Sequence, residues 1–230
     1  MDEHEAFLTA LQIGDSFFPS GAFAYSSGLE TYVFDGRVAD RVSLTAFIES
    51  YLVGLVARCD LLFVKLSHTA SCRPDPDEIG RLDHLLHAMK LPAELRAASM
   101  QMGRQFLQAM AGLYPSSVLQ SLLRNLEARN LDGHHPVIFG AVCGATGIKT
   151  ETTLLTYLYS TVSSLVSAGV RLIPLGPSDG QLAINHLKPL IARIAKEAEH
   201  LGEEDIAGFA PAVEIRSMQH EHLPVRLFKS

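Results

Sequence analysis

Tryptophan is absent from this sequence, and aromatic residues make up only 7% of its 230 positions. Basic residues are also few, because Lys and Arg number 19 against 25 Asp and Glu, which gives a net charge of -6 at pH 7. Nucleic-acid binding depends on clustered cations and on aromatic side chains that stack with bases. The composition therefore argues against a nucleic-acid-binding protein.

Cysteine is scarce as well: Cys59, Cys72 and Cys143 are far apart and odd in number. This spacing predicts neither a disulfide framework nor a zinc knuckle, and it favours a reducing compartment. The start, MDEHEAFLTALQIGD, is acidic where a signal peptide is basic, so we expect a cytoplasmic location. The apolar stretch at 154–175 is long enough to span a membrane. Its serines and threonines, together with Arg171 and Pro174, favour a buried helix instead.

Apolar residues make up 47% of the sequence and charged residues 19%, which is enough to fill one hydrophobic core. Their spacing at three and four residues predicts helices, most clearly at 43–67, 116–126 and 184–201. Alternation typical of strands is not sustained over any useful length. The sequence therefore predicts an all-α fold, in which residues 1–230 form a single helical domain of roughly eight to ten helices.

The stretch GAVCGATGIKT at 140–150 superficially resembles a nucleotide-binding loop. A phosphate-binding loop needs its lysine directly after the second glycine, whereas Ile148 separates Gly147 from Lys149 here. Gly140, Gly144 and Gly147 are spaced by four and three residues, which predicts a helix face that another helix approaches closely. We therefore expect no nucleotide hydrolysis.

Histidines occur in three groups, none of which supplies a complete set of metal ligands. We interpret His84 and His87, three residues apart on a predicted helix, as part of a solvated face. The adjacent pair His134 and His135, before a proline, is interpreted as capping or structural hydrogen bonding. The third group, His220 with Glu221 and His222, is weakly suited to holding a metal. Catalytic residues are not identified, and neither a metal nor a cofactor is expected to be tightly bound.

Two segments differ from ordinary amphipathic helices. Residues 11–30, LQIGDSFFPSGAFAYSSGLE, mix glycines and Pro19 with aromatic residues, which predicts a sharp turn and a helix that begins near Ser20. Gly21 and Gly28 are expected where another helix comes close, so a leucine at position 28 should overpack. Residues 218–230, MQHEHLPVRLFKS, end on apolar side chains that dock either on a partner or on the protein's own core.

Three blocks of the sequence resemble, in the same order, those of the urease accessory protein F family. The first contains LQ at 11–12, PSGAF at 19–23, YS at 25–26 and GLE at 28–30. The second contains HHPVIFG at 134–140, YLYS at 157–160 and VRLIPLG at 170–176. The third contains MQHEH at 218–222 and RLFKS at 226–230.

The resemblance implies an all-helical cytoplasmic chaperone for nickel insertion, without catalytic activity, nucleic-acid binding or membrane binding. Such a protein bridges a second accessory protein, of the D or H type, and the G-type GTPase on apo-urease. It forms a homodimer within that complex, can modulate GTP hydrolysis and holds nickel at most transiently. The contact residues implied are Gln12, Pro19, Gly21, Tyr25, Ser26, Gly28, Glu30, Arg171, His220, Glu221, Arg226, Leu227 and Phe228, with 218–230 as a docking tail.

An alternative hypothesis from another class is a helical metal-dependent enzyme. It would use some of the scattered histidines, and the apolar tail would close its active site. An adaptor should co-purify with the GTPase and the D-type protein, whereas an enzyme should hold a metal tightly and turn over a substrate.

Overall fold

Helices make up every regular element in the computed structural model, which describes residues 2–73, 75–114, 116–208, 211–223 and 226–229. The α-helices are α1 Glu3–Gly14, α2 Leu29–Phe34, α3 Arg41–Tyr51, α4 Leu61–Cys72, α5 Pro76–Met89, α6 Ala93–Leu113, α7 Ser117–Glu127, α8 His135–Thr146, α9 Thr150–Leu172, α10 Pro177–Ala198 and α11 Pro211–His220. Short 3-10 turns occupy Ala22–Ala24 and Glu203–Asp205, and a π-helical segment occupies Leu52–Asp60. The predicted all-α fold is confirmed. Within the described ranges, no helix is both long and apolar enough to cross a membrane.

The periodic stretch at 43–67 lies in one continuous rod made of α3, the π segment and α4. The backbone stays right-handed helical at both junctions, with φ -63° at Tyr51 and φ -67° at Leu61. A π segment forms hydrogen bonds five residues apart instead of four, so it turns the following side chains around the rod. Counted as one rod, this stretch leaves ten helices in the described part of the chain, within the predicted range.

Several helices begin at the capping residues that the sequence supplies. Asp2, Asp40, Asp75 and Ser116 each accept a hydrogen bond from a backbone N–H in the first turn of the helix that follows. These bonds satisfy donors that the helix itself leaves without a partner. At the start of α5, Pro76 occupies a first-turn position, where its missing N–H costs nothing.

Small residues let α8 pack directly on the backbone of α4. A Cβ atom added to Gly140 would collide with the carbonyl oxygen of Val64, and one added to Gly144 would lie 2.5 Å from the carbonyl oxygen of His68. The predicted close approach is therefore confirmed at these two glycines. Gly147 differs, because nothing lies near it; it ends α8 in the left-handed conformation at φ 80°.

The long helix α9 forms the support for the N-terminal segment. The exposed ammonium of Lys149, just before α9, lies 2.7 Å from the carboxylate of Glu3. Further along, the γ-methyl of Thr156 lies close to Gly14 at the end of α1. Because α1 follows α9 in this way, residues after Gly14 are led towards the last turn of α9, which carries Arg171.

We expect Gly140→Ala to destabilise the protein, since the added methyl meets backbone atoms of α4 that cannot turn away. The overpacking should cost about 1–3 kcal/mol, which lowers the melting temperature by about 2–4 °C for each kcal/mol. Gly112→Ala is the matched control, because Gly112 lies in α6 with open space around it. That substitution should stabilise the protein by about 0.4–1 kcal/mol. Circular dichroism melting curves measure both, and equal melting temperatures would contradict the packing argument.

Candidate protein-binding site

The N-terminal and C-terminal segments meet at the side chain of Glu30, in the first turn of α2. This carboxylate is only 6% exposed. It accepts hydrogen bonds from the backbone N–H of Leu227 at 2.7 Å and of Phe228 at 3.1 Å. It also lies 2.9 Å from Nε2 of His220. An acidic group from the N-terminal segment therefore holds the tail against the body of the protein.

His220 lies buried between two carboxylates. Its Nδ1 is 2.7 Å from Oε2 of Glu94, and its Nε2 is 2.9 Å from Oε2 of Glu30. Each ring nitrogen therefore faces a carboxylate oxygen. Arg226 donates to Glu94 as well, at 3.1 Å. In this arrangement both nitrogens of His220 are occupied, while His222, the other weak metal candidate, is exposed.

Arg171 connects the same two segments on the side of α9. Its guanidinium lies 3.6 Å from the ring centre of Phe23 and 4.3 Å from that of Phe228. It also donates a hydrogen bond of 2.9 Å to the carbonyl oxygen of Phe23. Nearby, the N–H of Lys229 donates to the carbonyl oxygen of Ala24 at 2.9 Å. The stacked cation and these backbone bonds join the tail to the 3-10 turn.

Residues from all three sequence blocks therefore lie close together in space. Comparison with known proteins finds relatives that cover nearly the whole chain. The sequence profile of the UreF family matches residues 38–188. Urease accessory protein UreF of Bacillus sp. (strain TB-90) is 33% identical over 97% of this chain and 98% of the relative. The UreF proteins of Lachnoclostridium phytofermentans and Sporosarcina pasteurii are each 35% identical, over 97% and 88% of this chain and 98% and 100% of their own lengths. The chain belongs to the UreF family.

The family resemblance predicted from the sequence is thus confirmed, and the structure shows where each implied contact residue of this UreF chain lies. Some are exposed and can touch a partner directly: Gln12, Pro19, Arg171, Glu221, Arg226 and Leu227. Others are buried and support the exposed residues: Tyr25, Ser26, Gly28, Glu30, His220 and Phe228. Gly21 is partly buried. Tyr25, for example, donates its hydroxyl to Gln101 on α6 at 2.7 Å.

The two glycines of the N-terminal block differ: the close approach expected at Gly21 is present, because an added Cβ would collide with the side chain of Gln105 on α6, whereas Gly28 has a different role. Gly28 stands before α2 at φ 84°, and the nearest atom that an added Cβ would meet is 3.6 Å away. Left-handed backbone, not overpacking, therefore requires glycine there. Gly21 is also left-handed, at φ 77°. The helix expected near Ser20 is only the 3-10 turn Ala22–Ala24, and the α-helix begins at Leu29.

Sequence reasoning missed the outward face of α1. Phe7, Leu8 and Leu11 are 57%, 63% and 55% exposed, while smaller residues of the same helix are buried. Phe17 and Phe23, in the following loop, are 94% and 60% exposed. For α1 the signal was present in the sequence, because Leu11 follows Leu8 by three residues and Phe7 by four. Ala6, Thr9, Ala10, Ile13 and Gly14 form the buried face of α1.

The histidine pairs are divided differently from the sequence interpretation. His84 is exposed, as expected of a solvated helix face, but His87 is not. His87 is half-buried and contacts both Asp132 and His134. The structural role expected for His134 is confirmed, since its backbone N–H donates to Asp83 and its ring contacts Ser99.

A cavity of about 130 Å³ lies beneath the N-terminal segment. His135 faces it, enclosed by the rings of Phe106, Phe139 and Tyr157. Burial lowers the pKa of His135 to about 4, although the nearby carboxylate of Asp60 acts in the opposite direction. Burial also lowers the pKa of His134, to about 3. Both rings are therefore neutral in the folded protein at pH 7.

These two pKa values predict loss of stability in mild acid. The unfolded chain takes up a proton on each histidine below about pH 6.5, whereas the folded chain does so only near the lowered pKa. Each group then lowers the free energy of unfolding by up to about 1.4 kcal/mol per pH unit as pH falls towards 4. We expect His135→Gln to reduce this slope in urea unfolding at pH 6.5, 5.5 and 4.5. An unchanged slope would contradict the assignment.

The tail offers a second test. Phe228 is 6% exposed and Leu227 is 72% exposed, although they are neighbours. Phe228→Ala should lower the free energy of unfolding by about 1.5–3 kcal/mol, because it removes a buried ring. Leu227→Ala, the matched control, should change it by less than about 0.5 kcal/mol. Thermal melting distinguishes the two, and similar melting temperatures would mean that the tail contributes nothing to the fold.

Proposed function

We propose that this chain is a non-catalytic adaptor in urease maturation. It binds an accessory protein of the D or H type and the G-type GTPase, and holds both on apo-urease while nickel is inserted. Within that complex it forms a homodimer, works in the cytoplasm and modulates GTP hydrolysis by its partner. Its curated relatives are named urease accessory proteins, which supports a role in assembly rather than in catalysis.

The observation that carries the adaptor proposal is the concentration of exposed apolar side chains at the N-terminal end. Of the 15 large apolar residues that are exposed in the described chain, five lie within residues 7–23. They are Phe7, Leu8 and Leu11 on α1, and Phe17 and Phe23 in the loop. Large apolar side chains that stay in water on the free protein are typical of surfaces that bind another protein.

The C-terminal tail adds to this surface. Glu30 and Arg171 fix the backbone and ring of Phe228, so the exposed side chain of Leu227 is presented from an ordered segment. Arg226 is also exposed and can donate to a partner carboxylate. We assign this part of the surface to the D-type protein. Val225, another apolar residue of the segment 218–230, lies outside the described residues.

The first test replaces an exposed apolar residue of α1 by a charge. We expect Leu11→Asp to weaken capture of the D-type protein or the GTPase at least tenfold, which is about 1.4 kcal/mol. Leu182→Asp is the matched control, because Leu182 is 52% exposed against 55% for Leu11 but lies on α10. Binding is measured with purified partners, with and without GTP and nickel.

A second variant tests whether the tail binds the D-type protein. Leu227→Asp should impair binding of the D-type protein while leaving the melting temperature unchanged, which truncation of the tail would not. Equal binding by both aspartate variants and the Leu182→Asp control would contradict the adaptor surface. Turnover of GTP or urea by the pure chain would contradict the non-catalytic role and would favour the metal-dependent enzyme.

A further inference from the structure

Three side chains of types that can bind a metal converge at the start of α8. They are His87 on α5, and Asp132 and His134 in the segment that leads into α8. Their ligand atoms all lie within 4.8 Å of one another, and this is the one such group of three in the part of the chain that the structure describes. The sequence places Asp132 and His134 more than forty residues from His87, so no motif announces the group.

The separations match those of ligand atoms around one ion. Nδ1 of His87 lies 3.2 Å from Oδ2 of Asp132 and 3.3 Å from Nε2 of His134. Ligand atoms about 2.0–2.2 Å from a tetrahedral ion are about 3.3–3.6 Å apart. The Asp132 carboxylate is 32% exposed, so it can rotate to complete the triangle.

The hydrogen bonds among His87, Asp132 and His134 are incomplete. Nδ1 of His87 lies 3.2 Å from Oδ2 of Asp132, but the hydrogen bond that this nitrogen forms is to Nε2 of His134, with a single hydrogen between the two rings. On its far side, Nδ1 of His134 contacts Ser99. The Asp132 carboxylate, which can only accept, therefore lies beside two nitrogens that share one hydrogen. A cation in its place would satisfy all three at once.

Surrounding groups hold two of the ligands in position. Ser99, on α6, contacts the far nitrogen of His134 at 3.1 Å, which is the usual arrangement of a histidine ligand and its supporting partner. Asp83 is fully buried and accepts the backbone N–H groups of Asp132, Gly133 and His134 at 2.6, 2.9 and 2.8 Å. These hydrogen bonds fix the backbone of residues 132–134 without an ion.

The geometry points to a binding site for a divalent transition-metal ion at His87, Asp132 and His134. Two imidazoles and one carboxylate suit nickel, copper or zinc rather than magnesium or calcium. On binding, the hydrogen on Nδ1 of His87 moves through water to Nε2 of the same ring, and Nδ1 takes the ion. Lys90 and Arg96 add positive charge nearby, so we expect an exchangeable ion rather than a permanent one.

The site does not rest on the adaptor proposal, because it uses other residues. It is tested on the purified full chain, freed of metal with a chelator, by calorimetric titration with Zn²⁺ and with Ni²⁺. We expect one ion per chain. His87→Ala and Asp132→Asn should each weaken binding at least tenfold. His84→Ala is the matched control, since His84 is exposed one turn away on the same helix and should leave binding unchanged.

Both test residues are partly exposed, so these variants should fold, and melting curves without metal check that they do. His134 is left intact because its ring and backbone are buried in the fold. Absence of stoichiometric binding would overturn the site. Binding that survives both His87→Ala and Asp132→Asn, or that is lost equally in His84→Ala, would overturn it as well.

Discussion

The burial of one carboxylate, that of Glu30, is the constraint on which the candidate binding surface depends. A buried acid is strongly unfavourable unless donors surround it, and here the donors are two backbone N–H groups and the ring of His220. All three come from the other end of the chain. Through His220, the same network extends to Glu94 on α6 and then to Arg226. Removing His220 would leave the buried Glu30 carboxylate without one of its donors.

This network explains why buried and exposed residues alternate at the surface. Without Glu30 the tail would lose the hydrogen bonds that fix the backbone of Leu227 and Phe228, and with them part of its anchoring. Arg171 acts in a similar way, because its stacked guanidinium holds Phe23 and Phe228 on either side. The buried residues of the three sequence blocks are therefore positioning residues. The side chains that can reach a partner are their exposed neighbours.

Local patterns were sufficient to predict the helices and much of their packing. Apolar spacing located the helical stretches, and the glycine spacing at Gly140 and Gly144 indicated the contact with α4. The π segment could not be predicted, because its residues keep an apolar periodicity close to that of an α-helix. The left-handed role of Gly28 was also missed, since a glycine in a sequence does not reveal whether it provides space or backbone freedom.

Long-range pairing could not be predicted at all from one sequence. Nothing near Glu30 indicates that its partners lie 190 and more residues away, and nothing near His87 indicates His134. The family resemblance brought the first set of residues together as a group, but without their contacts. The proximity of His87 to His134 could be seen only in the folded structure, because the packing of α4, α6 and α8 brings α5 next to the start of α8.

The distance between Glu30 and its partners also affects how the protein is made. Glu30 and Leu227 are 197 residues apart. At about 5–20 residues per second, a ribosome adds Leu227 some 10–40 s after Glu30. Throughout that interval the nascent chain contains an acid without its donors and an aromatic turn without Phe228. The N-terminal surface is therefore synthesised long before the residues that complete it, so a partner that recognises the assembled surface binds only after Leu227 and Phe228 have been made.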